Sequence, residues 1–133
     1  MYLLIKNESR QLAARLLLIS LISIILIDAT RPQIGTEPLI PHLDKLLHFL
    51  VYGTIAWLCA YVIHKPLHAI SWSRYAGIIL FITCFGLLVE WLQAHTPGRD
   101  ASLHDLYADL AGAVTFLTLW RFRERQPQVA PYN

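Results

Sequence analysis

Long apolar runs, each bounded by charged or proline-containing sequence, dominate this chain of 133 residues; they cover about residues 12–28, 46–63, 75–93 and 103–120. A helix crossing the hydrocarbon core of a bilayer needs about 20 mostly apolar residues, because about 30 Å must be covered at 1.5 Å per residue. Four such spans take roughly 80 positions and leave roughly 50 for every loop and end. No separate soluble domain fits in that remainder. With 56% of residues apolar and only 15% charged, the chain also departs from a soluble domain, in which about a quarter are charged. The expected fold is therefore all-α: an integral membrane bundle of four transmembrane helices, built as one domain over residues 1–125 and followed by a polar tail, 126–133.

Lys6, Arg10 and Arg15 precede the stretch Leu16 to Ile27, whose length suits the apolar region of a secretory signal. No Ala-x-Ala cleavage site follows, so the expectation is an uncleaved signal anchor. Pro32, Gly35, Pro38 and Pro41 break helix too often for residues 28–45 to continue it, and predict an ordered loop or re-entrant segment. His64-Lys65-Pro66 closes the second run and Pro97-Gly98 marks a turn between the third and fourth. Cys59 and Cys84 lie mid-run, where cysteine serves as a small hydrophobic residue.

Lys6, Arg10, Arg15, Lys65, Arg74, Arg121, Arg123 and Arg125 fall on one side of a four-span chain, against Arg31, Lys45 and Arg99 on the other. By the positive-inside rule this eight-to-three distribution puts both termini in the cytoplasm and the first and third loops outside. Trp72, Trp91 and Trp120 lie near span ends, as interfacial aromatics do, whereas Trp57 does not. A net charge of +2 without a concentrated basic face predicts no nucleic-acid partner.

The charges inside the runs carry the chemical information. Asp44, Lys45 and His48 open the second span, Glu90 and Gln93 close the third, and His104, Asp105 and Asp109 open the fourth. Alternating helices bring those three ends into one leaflet, the outer one under the positive-inside assignment. At about 100° per residue, Lys45, His48 and Tyr52 share a stripe, as do Thr83, Gly86, Glu90 and Gln93, and Ser102, Asp105, Asp109 and Gly112. Glycine in such stripes allows close helix approach. The simplest packing turns the three stripes together, with Glu90, Asp105 and Asp109 facing Lys45, Arg99 and His48 and titrating as a coupled group. An Asp or Lys near a span centre costs about 2.5 to 3.5 kcal/mol on insertion scales, so such groups pair, line a polar cavity or form a functional site.

In the functional reading His48, Glu90, Asp105 and Asp109 are the candidate catalytic residues: His48 or Glu90 moves a proton, and the aspartates orient the base. Lys45, Tyr52, Gln93 and Arg99 are the candidate substrate-binding residues, with Lys45 or Arg99 holding a phosphate or carboxylate. No recognised His and carboxylate ligand motif is present, so no metal site is assigned, and cofactors are left open. The competing reading takes Lys45 as snorkelling to the interface, His95 and His104 as solvated loop residues, and the carboxylate set as a network that locks the helices.

The ordered set Lys45-x-x-His48-Phe49-x-x-Tyr52, Glu90-x-x-Gln93, Pro97-Gly98-Arg99, Asp105 and Gly112 resembles the VanZ-like family of small bacterial membrane proteins over residues 40–120. One position departs: the family pattern typically has Asn where this chain has Asp109. The resemblance implies a multi-pass protein of the bacterial cytoplasmic membrane. The family takes its name from a member associated with teicoplanin resistance, and that association belongs to the family name alone. The broader implication is a role in cell-envelope biology, with a membrane lipid or lipid-linked envelope precursor as substrate or ligand. The alternative is a non-catalytic interaction or structural protein. Transport would need a homo-oligomer, since one four-span bundle has little room for alternating access.

Overall fold

The computed structural model describes residues 2–33, 42–63 and 71–125. Four helices follow one another: α1 (Tyr2–Ala29), α2 (Leu43–Ile63), α3 (Trp72–Ala94) and α4 (Leu103–Arg125), with no strand among the described residues. Much of the loop expected over 28–45 (residues 34–41), together with the 64–70 link and the 126–133 tail, lies outside the described residues.

Each helix runs further than its apolar stretch. α1 begins at Tyr2 instead of near residue 12, and α4 ends at Arg125 instead of near 120. Hydropathy marks only the apolar part of a helix, whereas the helix continues until the backbone is interrupted. Before Pro32 the sequence has no Pro or Gly, and none lies between Gly112 and Pro127. At the start of α3, the Ser71 hydroxyl accepts a hydrogen bond from Arg74 N at 3.4 Å, capping the first turn.

Three helical stretches, Asn7–Ala29, Leu43–Ile63 and Trp72–Ala94, are long and apolar enough to cross a membrane. α4 has the length, 23 residues, but His104, Asp105 and Asp109 dilute its apolar character. Those same residues carry the polar network described below.

Packing centres on the α2–α4 seam, the most extensive contact in the structure. Ile55, Ala56 and Ala60 of α2, Ile82 of α3, and Ala113 and Leu117 of α4 belong to its buried core. Glycines set the closest approaches. A Cβ on Gly112 would run into the Phe49 backbone carbonyl oxygen, and one on Gly53 would stand 2.6 Å from the Phe116 ring. α1 packs more loosely, leaving Leu12, Leu16, Ile19 and Ile24 exposed, as a lipid-facing surface requires.

The far end of α1 is fastened to the α3–α4 turn. The Thr96 hydroxyl donates to Ala29 O at 3.0 Å, Gln33 N donates to Pro97 O at 3.1 Å, and Arg99 Nη2 donates to Asp28 Oδ2 at 2.9 Å. Gly98 turns the chain here with φ 77° and lies so close to Gln33 O that any Cβ would collide with it. Only glycine adopts that conformation at no steric cost.

The seam yields a direct expectation. Gly112→Ala should destabilise the protein in detergent by about 1–3 kcal/mol, the usual cost of overpacking. Gly77→Ala, where nothing lies within 4 Å of the added Cβ, should leave the melting temperature unchanged or slightly raised. Equal melting of the two variants would disprove the close α2–α4 approach.

Candidate functional site

Residues Lys45, His48 and Tyr52 project from successive turns of α2 because their spacing of three and four matches the helical repeat. Asp105 and Asp109 do the same on α4. The two rows meet across the seam. His48 Nδ1 lies 2.8 Å from Asp109 Oδ1, and His48 Nε2 lies 3.9 Å from Asp105 Oδ2. Lys45 Nζ lies 3.2 Å from Asp105 Oδ1 and 2.8 Å from Asp44 Oδ2.

Burial is graded along this column. Side-chain exposure falls from 34% at Lys45 to 19% at His48 and 1% at Asp109. Tyr52, deeper on α2, lies nearly parallel to the His48 ring at 5.9 Å between centroids and packs against Phe85 of α3 at 5.7 Å. Its hydroxyl is buried and makes no hydrogen bond among the described residues.

α3 supplies the third side. Glu90 Oε2 accepts a 2.6 Å hydrogen bond from the Ser102 backbone N–H, immediately before α4. A carboxylate there satisfies a backbone donor that the helix itself leaves unpaired and lies at the positive end of the helix dipole. Glu90 Oε1 is buried without a hydrogen-bond partner among the described residues, as is Asp109 Oδ2. Gly86, one turn before Glu90, makes room for Asp109: a Cβ there would stand 3.0 Å from Asp109 Oδ2 and 2.9 Å from a Leu106 methyl. Gln93 is buried one turn beyond Glu90.

The three stripes expected from the sequence thus converge, bringing together Lys45, His48, Tyr52, Glu90, Asp105 and Asp109. Arg99 departs from the expected arrangement. Instead of facing those carboxylates, it pairs with Asp28 Oδ2 at 2.9 Å and donates through Nε to Arg31 O at 3.2 Å. Thr83 turns its hydroxyl onto Ile79 O of its own helix. His95 and His104 are exposed, and the His95 ring lies tilted against Trp91 at 4.7 Å between centroids.

Sequence reasoning missed two partners. Asp28 is the acceptor for Arg99, and its signal is a carboxylate at the end of α1, on the same side of the bundle as the α3–α4 turn. The Ser102 N–H is the donor to Glu90, for which no residue type gives a signal. Asp44 was visible as an opening residue of α2, and it doubles the carboxylate contacts of Lys45.

An ionised Asp109 can only accept, so its contact puts a proton on His48 Nδ1 and leaves Nε2 as the nitrogen that gives or takes a proton, on the Asp105 side. With Arg99 engaged elsewhere, Lys45 and His48 are set against Asp44, Glu90, Asp105 and Asp109. The arrangement therefore combines an oriented imidazole, buried acceptors and one rim cation. Among the described residues, no group of three or more His, Cys, Asp or Glu side chains has the geometry of a metal site.

A family model described as VanZ/LLP1 matches residues 2–124. The chain belongs to the VanZ/LLP1 family. No curated protein and no solved structure matches it. Where the resemblance in the sequence began near residue 40, the VanZ/LLP1 match takes in α1 as well, including Asp28 and its link to Arg99. The family assignment and the apolar helices together make this a membrane protein.

The Asp109 contact has a measurable consequence. Asp109→Ala leaves His48 without its buried partner and should cost about 3–5 kcal/mol of stability in detergent. Asp109→Asn preserves a side-chain oxygen for Nδ1–H and should cost only about 1 kcal/mol. Similar losses for both variants by thermal or denaturant unfolding would show that the hydrogen bond does not hold this part of the seam.

Proposed function

We propose that this protein is a multi-pass protein of the bacterial cytoplasmic membrane whose polar site, in the outer-leaflet half of four transmembrane helices, binds or acts on a lipid-linked envelope substrate. The supporting observation is the His48 imidazole, anchored through Nδ1 by buried Asp109, with Nε2 directed to the less buried side of the cluster. In this reading His48 moves the proton, Asp109 orients it, and Asp105 and Glu90 stabilise or exchange charge. Lys45, the most exposed of the paired cations, receives a phosphate or carboxylate. Tyr52 and Gln93 supply further polar contacts, and Arg99 holds the turn that carries the start of α4. The orientation rests on the eight-to-three distribution of Lys and Arg and puts both termini in the cytoplasm.

A second reading draws on the same contacts. His48–Asp109, Lys45–Asp105 and Glu90–Ser102 each join α4 to a neighbouring helix, which also suits a network whose work is to lock the bundle.

Incubating the reconstituted full chain with extracted envelope lipids separates the readings by mass spectrometry. A chemically altered lipid supports catalysis, and a co-purifying unaltered lipid supports binding. Either signal should fall at least about tenfold in His48→Gln and Glu90→Gln, a loss of the size expected for removing an acid–base or charge-assisted contact. Wild-type behaviour in both folded variants would leave the locking reading. For the orientation, a reporter that is active only in the cytoplasm should be active when fused after Arg125, and activity only of a periplasmic reporter there would reverse it.

A further inference from the structure

The opposite end of the bundle has a different chemistry. There the first turn of α3 and the last turns of α4 border an open cavity of about 300 Å³, lined by Trp72, Tyr75, Thr118, Arg121 and Phe122. The Arg121 guanidinium carbon lies 3.8 Å from the centre of the Trp72 ring, a cation–π contact that fixes the cation at one wall. The Tyr75 hydroxyl lies 3.4 Å from Thr118 Oγ1, so two hydroxyls sit together on the adjoining wall. Trp72 and Phe122 are 68% and 61% exposed, giving the cavity an apolar side open to its surroundings.

Charge around this cavity has one prevailing sign. Arg74, Arg121 and Arg123 lie within about a turn of it and outnumber Glu124, whose Oε1 accepts from Trp120 Nε1 at 2.7 Å, while the positive end of the α3 dipole is offset by the negative end of α4. The carboxylates of the His48 network all lie at the other end. A ligand matching this cavity carries an anionic group for Arg121, hydroxyl or ester oxygens for Tyr75 and Thr118, and an apolar portion for Trp72 and Phe122. In a membrane, one abundant class of molecule has all three.

We infer that the Trp72–Arg121 cavity binds an anionic phospholipid, with its phosphate on Arg121, its glycerol region beside the Tyr75 and Thr118 hydroxyls, and an acyl chain along Trp72 and Phe122. The inference is independent of what the His48 site does. It also differs from general attraction of a basic flank to an anionic surface, because Arg123, two residues away, lies over the Trp57 ring at 6.0 Å and does not line the cavity.

The test is lipid retention by the purified full chain, measured by native mass spectrometry with equal amounts of dioleoyl phosphatidylglycerol and dioleoyl phosphatidylcholine. The wild type should retain one phosphatidylglycerol in preference. Arg121→Gln should weaken that retention about tenfold, the scale of a lost charge-assisted contact, while Arg123→Gln should stay within about twofold. Arg121→Lys, which keeps the charge, should keep the preference and serves if the Gln variant does not fold. Inorganic phosphate should not displace the lipid. Equal retention of the two lipids by the wild type, equal losses in the Arg121→Gln and Arg123→Gln variants, or displacement by inorganic phosphate would each overturn the inference.

Discussion

Asp109 is fully buried, two turns into the least apolar of the three helices around the polar network. An ionisable group at such depth has to be answered within the bundle, since lipid offers it no hydrogen bond. The answer comes from two directions. α2 brings His48 to 2.8 Å, and α3 brings a glycine, Gly86, in place of a side chain that would crowd the carboxylate. One turn further on, Gly112 allows the α4 backbone to close onto Phe49. The polar requirement and the steric allowance therefore occupy the same seam, and the outer contacts of Lys45 and Glu90 extend it in register.

Much of this was legible because helical spacing is a strong constraint. His48 and Tyr52, or Asp105 and Asp109, cannot be four residues apart on a helix without sharing a face. Faces rich in costly groups must then find one another. The ends of the helices were less legible: hydropathy stops where charged residues begin, but Lys6 to Arg10 and Arg121 to Arg125 continue the same backbone hydrogen bonding. Arg99 could not be placed for a different reason. Two sets of carboxylates lie at its end of the bundle, and spacing within one helix does not say which of them a loop arginine will reach. Glu90 presents the related difficulty that its partner is a main-chain N–H, which every residue except proline possesses.

The sequence resemblance to the VanZ-like family expects Asn where this chain has Asp109. Either side chain offers an oxygen to His48 Nδ1–H, so the orientation of the imidazole survives the exchange. The charge does not. Asp109 sets a carboxylate behind the histidine where Asn would set a neutral amide.

The fastening of α1 has a consequence for how the protein is made. Asp28 and Arg99 are 71 residues apart, and Thr96 is 67 from Ala29. During synthesis from the N-terminus, α1 is finished long before either partner exists, and its exposed leucines and isoleucines suit it to wait alone in lipid. The last residues of α1 thus wait for the α3–α4 turn, whereas its earlier turns meet α2 first, where Gln11 Nε2 donates to Tyr61 O at 3.3 Å. Docking of its end onto the Pro97-Gly98 turn becomes a closing step of assembly, one that requires α2 and α3 to be in place.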